Sequence, residues 1–186
     1  MADKQKNEDS IGELIKTVVY ALLIAGVVRT LFFQPFWIPS GSMKNTLLIG
    51  DFMFVNKMAY GYSRHSCPFS MCPFSGRILA NEPERGDIVV FKHPSTQVDF
   101  IKRLIGLPGD RIQMKNGLLY LNGELAPQKD LGYFTEVKAQ QGPMKNTPRC
   151  ANDPVGLGAN CDKGLSIEVL PNGVEHFVLD ISESFA

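Results

Sequence analysis

The length and the balanced charge of the chain limit what it can be. Its 186 residues are enough for one domain of ordinary size, and 44% hydrophobic with 20% charged residues is typical of a globular protein rather than a disordered one. Lysine plus arginine and aspartate plus glutamate both number 19, so the formal net charge is zero. Nucleic-acid binding is not expected, because the chain has no basic excess with which to contact phosphates.

The first predicted element is a membrane anchor over residues 17–38, preceded by a short segment, residues 1–16. The anchor region has one charged side chain, Arg29, and an uninterrupted apolar run over residues 18–28. About 20 apolar residues span a bilayer. A cleaved signal peptide and a buried core helix are the alternatives. A cleaved signal peptide would need a small-residue cleavage site, which this segment lacks. A buried core helix seldom contains so long an uncharged run.

The lysines that flank the anchor predict its orientation. Three lysines precede the anchor, whereas the twenty residues after it contain two. Positively charged flanks stay in the cytoplasm. We therefore expect residues 1–16 to be cytoplasmic and residues 39–186 to form a β-rich domain outside.

After the anchor, short β-rich segments alternate with turn residues, which predicts an all-β domain. Asn-Gly pairs at 116–117 and 122–123 are the preferred two-residue hairpin turns. Residues 61–85 and 126–164 lack this rhythm and are predicted to be loops or insertions. The predicted strands are 51–55, 86–91, 99–105, 111–114, 118–121, 124–125, 166–169 and 174–179.

The four cysteines fall in two close pairs, Cys67 with Cys72 and Cys150 with Cys161. An even number in an extracytoplasmic domain suits disulfides, although three pairings are possible. A zinc site at His65, Cys67 and Cys72 is the alternative, but its spacing is unusual and no fourth ligand lies nearby. If the domain is outside, Cys150 and Cys161 should be bridged, since closing this loop stabilises by about 3 kcal/mol.

Where the chain leaves the predicted anchor, Ser40 and Ser42 flank a glycine. A polar turn is the ordinary role of such a segment, because a serine becomes a nucleophile only beside a base. The three histidines lie where surface or structural roles are the default. Lys102 differs, because strand alternation places it between Phe100 and Leu104 on one face, where burial would lower its pKa. An edge-strand lysine that discourages aggregation is the alternative.

Three blocks of sequence together resemble the bacterial type I signal peptidases, also called leader peptidases. They follow an apolar N-terminal segment in the family's order, and the resemblance covers residues 15–125 closely. The blocks are Pro39-Ser40-Gly41-Ser42-Met43 with Thr46-Leu47 and Gly50-Asp51, then Arg85-Gly86-Asp87-Ile88-Val89-Val90-Phe91-Lys92, then Asp99-Phe100-Ile101-Lys102-Arg103-Leu104-Ile105-Gly106-Leu107-Pro108-Gly109-Asp110.

The resemblance implies a fold, a reaction and a location. The fold is mainly β, with a single transmembrane helix before an all-β Ser/Lys peptidase domain of the type shared by signal peptidases and self-cleaving repressors. The implied enzyme is a serine endopeptidase of the bacterial inner membrane that removes signal peptides after small residues of the Ala-x-Ala type. It needs no cofactor and no metal. Its expected partners are exported preproteins, membrane lipid and the nearby export translocase.

Carried over position by position, the resemblance makes Ser42 the nucleophile and Lys102 its general base. The backbone N–H of Ser42 and the hydroxyl of Ser40 would form the oxyanion hole, where fixed donors stabilise the developing charge. Small apolar pockets would select alanine-sized side chains, because larger ones would overfill them. The residues implied for these pockets are Phe36, Ile38, Met43, Leu47, Met53, Val90, Phe100 and Ile101.

The chain departs from the family's pattern in two places. Where the family usually has Met-x-Pro-Thr, this chain has Met43-Lys44-Asn45-Thr46, which predicts a looser turn. The family's further block, Gly-Asp-Asn-Arg-x-Asn-Ser-x-Asp-Ser-Arg, does not occur before Ala186. The resemblance therefore predicts a peptidase domain that is incomplete at its C-terminus, with a better hydrated Lys102 and little activity.

Two other functions remain open from the sequence. One is a truncated, non-catalytic paralogue that binds signal peptides or a partner without cleavage. The other is a self-cleaving repressor-type peptidase, against which the anchor and the lack of a DNA-binding helix pair both argue.

Overall fold

A computed structural model describes residues 2–67 and 70–181, with the backbone alone for residues 2–10. In this part the chain is mainly β, and a long helix precedes the strands. The fold class predicted from the sequence is confirmed. The chain divides into two compact units, Met1–Phe36 with Met53–Glu82 and Trp37–Phe52 with Pro83–Ala186. Residues 182–186 of the predicted 39–186 domain lie outside the described residues.

The first unit begins with the helix α1, Ala2–Leu31. Its segment Ile11–Leu31 is exposed, and it is long and apolar enough to cross a membrane. The helix cannot continue because Pro35 has no N–H to donate to the carbonyl four residues earlier, and its ring would clash there. The predicted anchor, residues 17–38, overlaps this helix over residues 17–31. The apolar span starts earlier, and the residues after Leu31 are not helical.

Short antiparallel ribbons complete the first unit. Strand β1, Phe33–Trp37, pairs with β2, Phe52–Asn56, and most of both strands belongs to this unit. Farther along, β3, Tyr62–Ser63, pairs with β4, Arg77–Ile78. The described part of residues 61–85 is otherwise irregular apart from short 3-10 segments.

A disulfide closes the loop between β3 and β4. It joins Cys67 and Cys72, whose Cα atoms are 5.4 Å apart. Because both thiols are used in this bond, they cannot serve with His65 as zinc ligands. The zinc alternative is therefore wrong. In the part of the chain that the structure describes, no group of three His, Cys, Asp or Glu residues could hold a metal ion.

The second unit consists of three antiparallel sheets with the orders β5-β6, β7-β8-β9 and β10-β11-β12. Its buried apolar core is formed by Leu119, Leu121, Ala126 and Leu170. The strands are β5, Ile88–Lys92; β6, Asp99–Arg103; β7, Ile112–Lys115; β8, Leu118–Leu121; β9, Glu124–Leu125; β10, Gln128–Val137; β11, Asn160–Val169; and β12, Glu175–Asp180.

The loop predicted over residues 126–164 is wrong, because β10 and the first half of β11 lie there and pair with each other. Two features explain why the pattern of alternating hydrophobic residues does not indicate these strands. The register shifts between Asp130 and Tyr133, and the buried positions on this hairpin include charged residues such as Lys163. The other predicted strands agree with the structure to within two residues at each end, except that β11 begins earlier.

The second disulfide ties the connection between β10 and β11 to β11 itself. Cys161 is fully buried on β11, and its Cα lies 5.0 Å from that of Cys150. The predicted Cys150–Cys161 bridge is confirmed. Asp153 accepts from the Cys150 N–H at 3.1 Å and from Lys138 Nζ at 2.5 Å, which orders the same connection.

Candidate active site

Ser42 lies at the centre of a short 3-10 helix, Gly41–Met43, in the second unit. The Lys44 N–H donates to the Gly41 carbonyl at 3.0 Å and closes this turn. Ser42 and the preceding Ser40 are both exposed, and the Ser40 side chain makes no capping hydrogen bond to the helix. Both hydroxyls are therefore accessible to a ligand.

The turn after Ser42 is closed by hydrogen bonds. The N–H groups of Thr46 and Leu47 both donate to the Met43 carbonyl, at 3.0 and 2.8 Å. Asn45 has a φ of 72°, which asparagine tolerates and which proline, fixed near −65°, cannot adopt. This chain therefore has a left-handed asparagine where the family usually has proline, and the looser turn stays a prediction.

Lys102 lies on β6 and faces an apolar surface of the β5–β6 ribbon. Val89 is directly opposite it, and Phe100, two residues earlier, shares its face. Its Nζ is 5.8 Å from the centre of the Phe100 ring, which in turn packs edge-on against Phe91. Burial against these side chains lowers the pKa of Lys102 from its ordinary value.

The Nζ of Lys102 donates a hydrogen bond to the Oγ of Ser42. The three histidines have partners of their own. His65 Nδ1 is 3.0 Å from Ser70 Oγ, the His93 ring is 4.8 Å from the Phe100 ring, and His176 Nε2 is 3.3 Å from a Glu168 oxygen. The group placed to exchange a proton with Ser42 is therefore a lysine amine.

An ion pair beneath β6 fixes the turn that follows Lys102. Arg85 Nη2 binds Asp110 at 2.8 Å, and Arg85 Nη1 donates to the Ile105 carbonyl at 2.5 Å. The Leu107 N–H, the Asn122 amide and Arg85 all donate to the Asp110 carboxylate and lower its pKa to about 2. Arg85 and Asp110 both belong to the sequence blocks that resemble the signal peptidases, but no local sequence pattern indicates that they form an ion pair.

Gly86 lies just before β5, opposite the end of β6, at a position where no larger residue fits. Its φ is 98°, and a Cβ built there would lie 2.6 Å from Val174 Cγ1. Its N–H donates to the Leu104 carbonyl at 2.7 Å, and its carbonyl accepts from Arg103 Nη1 at 2.6 Å. Because neighbouring residues of a strand face opposite sides, Arg103 points away from the face of Lys102.

The residues implied for substrate pockets do not share one face. Ile101 pairs with Val90 across the ribbon, on the face opposite Lys102, whereas Phe100 shares the face of Lys102. Ile38 and Met43 are buried, and Leu47 is half-buried. These three residues lie in the second unit, as do Val90, Phe100 and Ile101. The other two residues, Phe36 and Met53, are half-buried and lie in the first unit. A role in substrate binding stays a prediction for all eight.

A buried charge network beside Ser42 was missed by the sequence reading. Lys44 Nζ binds Glu136 and Gln141, and Glu136 also accepts from Lys163. Burial by itself would raise the pKa of Glu136, but hydrogen bonds from Lys163, Lys44 and Gln141 lower it overall. The sequence feature that could have revealed this network is the pair of charged residues Glu136 and Lys163 in the segment 126–164, which was predicted to be a loop.

The sequence of this chain is similar to sequences of known proteins. Residues 11–162 match the family described as signal peptidase, peptidase S26. The chain is 42% identical over 135 residues to the protein named signal peptidase I of Rickettsia typhi, covering 71% of this chain and 51% of that one. It is 47% identical over 119 residues to the signal peptidase I of Rickettsia akari, covering 62% and 45%. The chain thus spans about half the length of these curated relatives. The family match covers most of the chain, and the protein belongs to the signal peptidase family, peptidase S26.

Proposed function

We propose that this protein is a membrane-anchored serine endopeptidase that removes signal peptides from exported preproteins. The observation that carries the proposal is the hydrogen bond between Lys102 Nζ and Ser42 Oγ. A serine and a desolvated lysine in contact have the composition of a nucleophile with its base. The family and the names of the relatives supply the class of substrate.

The chemistry follows from the protonation state of Lys102. Its neutral amine takes the proton of Ser42 as Oγ attacks the scissile carbonyl, and the ammonium then gives that proton to the leaving amine. The same amine next takes a proton from the water that attacks the Ser42 ester. The resulting ammonium returns this proton to Oγ as the ester bond breaks, which frees the serine and releases the product acid. A lowered pKa serves both steps, because it increases the neutral fraction of Lys102 near physiological pH.

The oxyanion of the tetrahedral intermediate would be bound by two donors. The first N–H groups of a helix have no acceptor within it, so the Ser42 N–H can donate to a ligand. The Ser40 hydroxyl is exposed and does not cap the helix, which leaves it free to act as the second donor. Donors held in place before the reaction stabilise the developing charge by a few kcal/mol.

The edge of β6 provides a means of holding an extended peptide. Strand β5 occupies one edge, and within the described residues no strand pairs with the other. An extended substrate can add to such an edge through main-chain hydrogen bonds. Its alanine-sized side chains would then enter a pocket formed by Phe100 and by apolar residues that neighbour Ser42 in the chain, Ile38, Met43 and Leu47. Val90 and Ile101, on the other face of the ribbon, and Phe36 and Met53, in the first unit, stay predictions from the resemblance.

The anchor and the disulfides support a location outside the cytoplasm. Ile11–Leu31 would span the bacterial inner membrane with its N-terminus in the cytoplasm, and two disulfides suit an oxidising compartment. Tethering Ser42 near the bilayer raises its effective concentration toward preproteins, whose own apolar segments hold them in the same membrane as they leave the translocase.

Cleavage of a preprotein by the purified protein in detergent micelles tests this function. The expected low activity is at odds with this site, because Lys102 is hydrogen-bonded to Ser42 and burial lowers its pKa. We therefore expect one cut after an Ala-x-Ala sequence, mapped by mass spectrometry, and none with Ser42→Ala. A matched preprotein with leucine in place of the final alanine should resist cleavage, because the larger side chain overfills the pocket. Binding of preprotein without cleavage would contradict the proposal and favour a non-catalytic paralogue. Cleavage that survives Ser42→Ala would contradict the assigned nucleophile.

A further inference from the structure

Lys44 lies two residues after Ser42, and its ammonium group is buried. Its side chain is 7% exposed. Its Nζ lies 2.8 and 2.6 Å from the two carboxylate oxygens of Glu136 and 2.9 Å from Gln141 Oε1. An ammonium group has three hydrogens to donate, so these contacts use its full capacity and fix its position.

The partner of Lys44 is itself held by a stiff part of the fold. Glu136 lies on β10, where it also accepts from Lys163 of the neighbouring β11 and from Gln141 Nε2 at 2.8 Å. β10 and β11 pair along nearly their whole lengths. The Glu136 carboxylate is therefore a fixed point on the longest hairpin of the second unit.

The turn that carries Ser42 is attached to this hairpin at two places. The backbone N–H of Lys44 closes the 3-10 turn around Ser42. Fixing the Lys44 ammonium group therefore restrains the backbone of that turn. Farther along, Ile49 packs so close to Gly142 that a Cβ there would lie 2.8 Å from Ile49 Cγ2. Lys102, in contrast, is held through the β5–β6 ribbon.

We propose that the Lys44–Glu136 ion pair positions Ser42 for proton transfer to Lys102, an inference that rests on the proposed function. Neither residue touches the reacting atoms, so both are positioning residues. Two general points favour positioning over simple stabilisation. A buried ion pair adds little net stability compared with an apolar pair, and here its hydrogen bonds hold a residue whose own N–H closes the Ser42 turn. A misplacement of about 1 Å at a reacting atom lowers rates about a hundredfold.

The variant Lys44→Met tests the proposal against a matched control, Lys163→Met. Both remove a buried lysine from the same carboxylate, and the two side chains are 7% and 9% exposed. Only Lys44 adjoins the Ser42 turn. We expect Lys44→Met to lower kcat for preprotein cleavage about tenfold or more with KM within about twofold. Lys163→Met should lower the unfolding temperature comparably but kcat far less, and Lys44→Arg should recover part of kcat.

A second measurement does not depend on turnover. In a Ser42→Cys background, the neighbouring Lys102 ammonium should lower the thiol pKa below about 8.5, as read from the pH dependence of iodoacetamide alkylation. Adding Lys44→Met should move that pKa back toward the free value, whereas adding Lys163→Met should not. All four native cysteines are in disulfides, so alkylation reports on position 42.

The outcomes separate this inference from the proposed function. Wild-type cleavage with unchanged kcat in Lys44→Met overturns the inference alone, and so does an equal kcat loss in Lys163→Met. A wild-type protein that does not cleave overturns the proposed function, and the thiol pKa then decides whether Lys44 positions residue 42. If Lys44→Met does not fold, Gln141→Met removes one acceptor of the ammonium without leaving a bare charge, and it should lower kcat to a smaller extent.

Discussion

Ser42 and Lys102 are 60 residues apart in the chain, and their side chains share a hydrogen bond. The serine is on a 3-10 turn and the lysine is on a strand, so each is held by different neighbours. The hydrogen bond between Ser42 and Lys102 therefore depends on two ion pairs. The Lys44–Glu136 pair holds the turn, and the Arg85–Asp110 pair holds the chain that follows the strand.

Replacing Lys102 by arginine should abolish peptidase activity although the positive charge is kept. A guanidinium remains protonated in proteins and cannot accept the serine proton. We expect kcat to fall at least about a hundredfold in both Lys102→Arg and Lys102→Met, measured by preprotein cleavage. The exposed Lys129 on β10 provides the control, and Lys129→Met should cleave at the wild-type rate. An active Lys102→Arg enzyme would exclude Lys102 as the base.

The cleavage rate should rise with pH. The active form of Lys102 is the neutral amine, and burial lowers its pKa below the ordinary value of 10.5. Activity is therefore expected to increase as the ammonium loses its proton, with a midpoint below that of a free lysine. The measurement is kcat/KM against pH, with the unfolding temperature recorded at each pH to exclude denaturation. A rate that falls as pH rises from about 6 to 9, without loss of fold, would contradict a lysine base.

Asp110→Asn should destabilise the folded protein at neutral pH, and this loss of stability should be smaller at acidic pH. The folded pKa of Asp110 is about 2, below the ordinary 3.8, because Leu107, Asn122 and Arg85 donate to its carboxylate. A depressed carboxyl pKa contributes stability that is complete above the unfolded pKa and is lost as pH falls toward the folded one. The difference in urea midpoint between wild type and Asp110→Asn should therefore narrow from about pH 5 to pH 2. A constant difference would contradict this role.

Gly86→Ala should destabilise the fold by about 1–3 kcal/mol, since the new methyl group meets Val174 and the backbone is left-handed. Chemical denaturation measures the loss. Adding Val174→Ala removes the close contact but not the left-handed backbone, so the double variant should lose less than the sum of the two single changes. Strict additivity would show that the contact with Val174 has no part in the effect.

Removing the Cys150–Cys161 bridge should cost about 3 kcal/mol by the loop-entropy model. The paired change Cys150→Ala with Cys161→Ala leaves no free thiol at either position, and thermal unfolding measures the loss. In protein taken from intact membranes, both cysteines should resist alkylation until a reductant is added. Free thiols at both positions would contradict the proposed extracytoplasmic location.

The sequence by itself determined the features that depend on local patterns. An apolar run long enough to span a bilayer is visible without any tertiary information, although the helix that contains it extends farther toward the N-terminus. The Asn-Gly turns also follow from local chemistry. Asn116 and Asn122 both have the positive φ that their turn type requires. The strands that these turns join were therefore predictable.

The tertiary structure decided which distant groups meet. Lys44 and Glu136 are 92 residues apart and Arg85 and Asp110 are 25 apart, and neither separation has a period that marks a contact. Glu136 is placed by the pairing of β10 with β11, a hairpin that has buried charges where a hydrophobic pattern predicts exposed positions. The chain sequence specifies Ser42 and Lys102 as reactive residue types. Their contact exists because long-range hydrogen bonds and ion pairs, which form only once the strands are in register, hold both side chains in place.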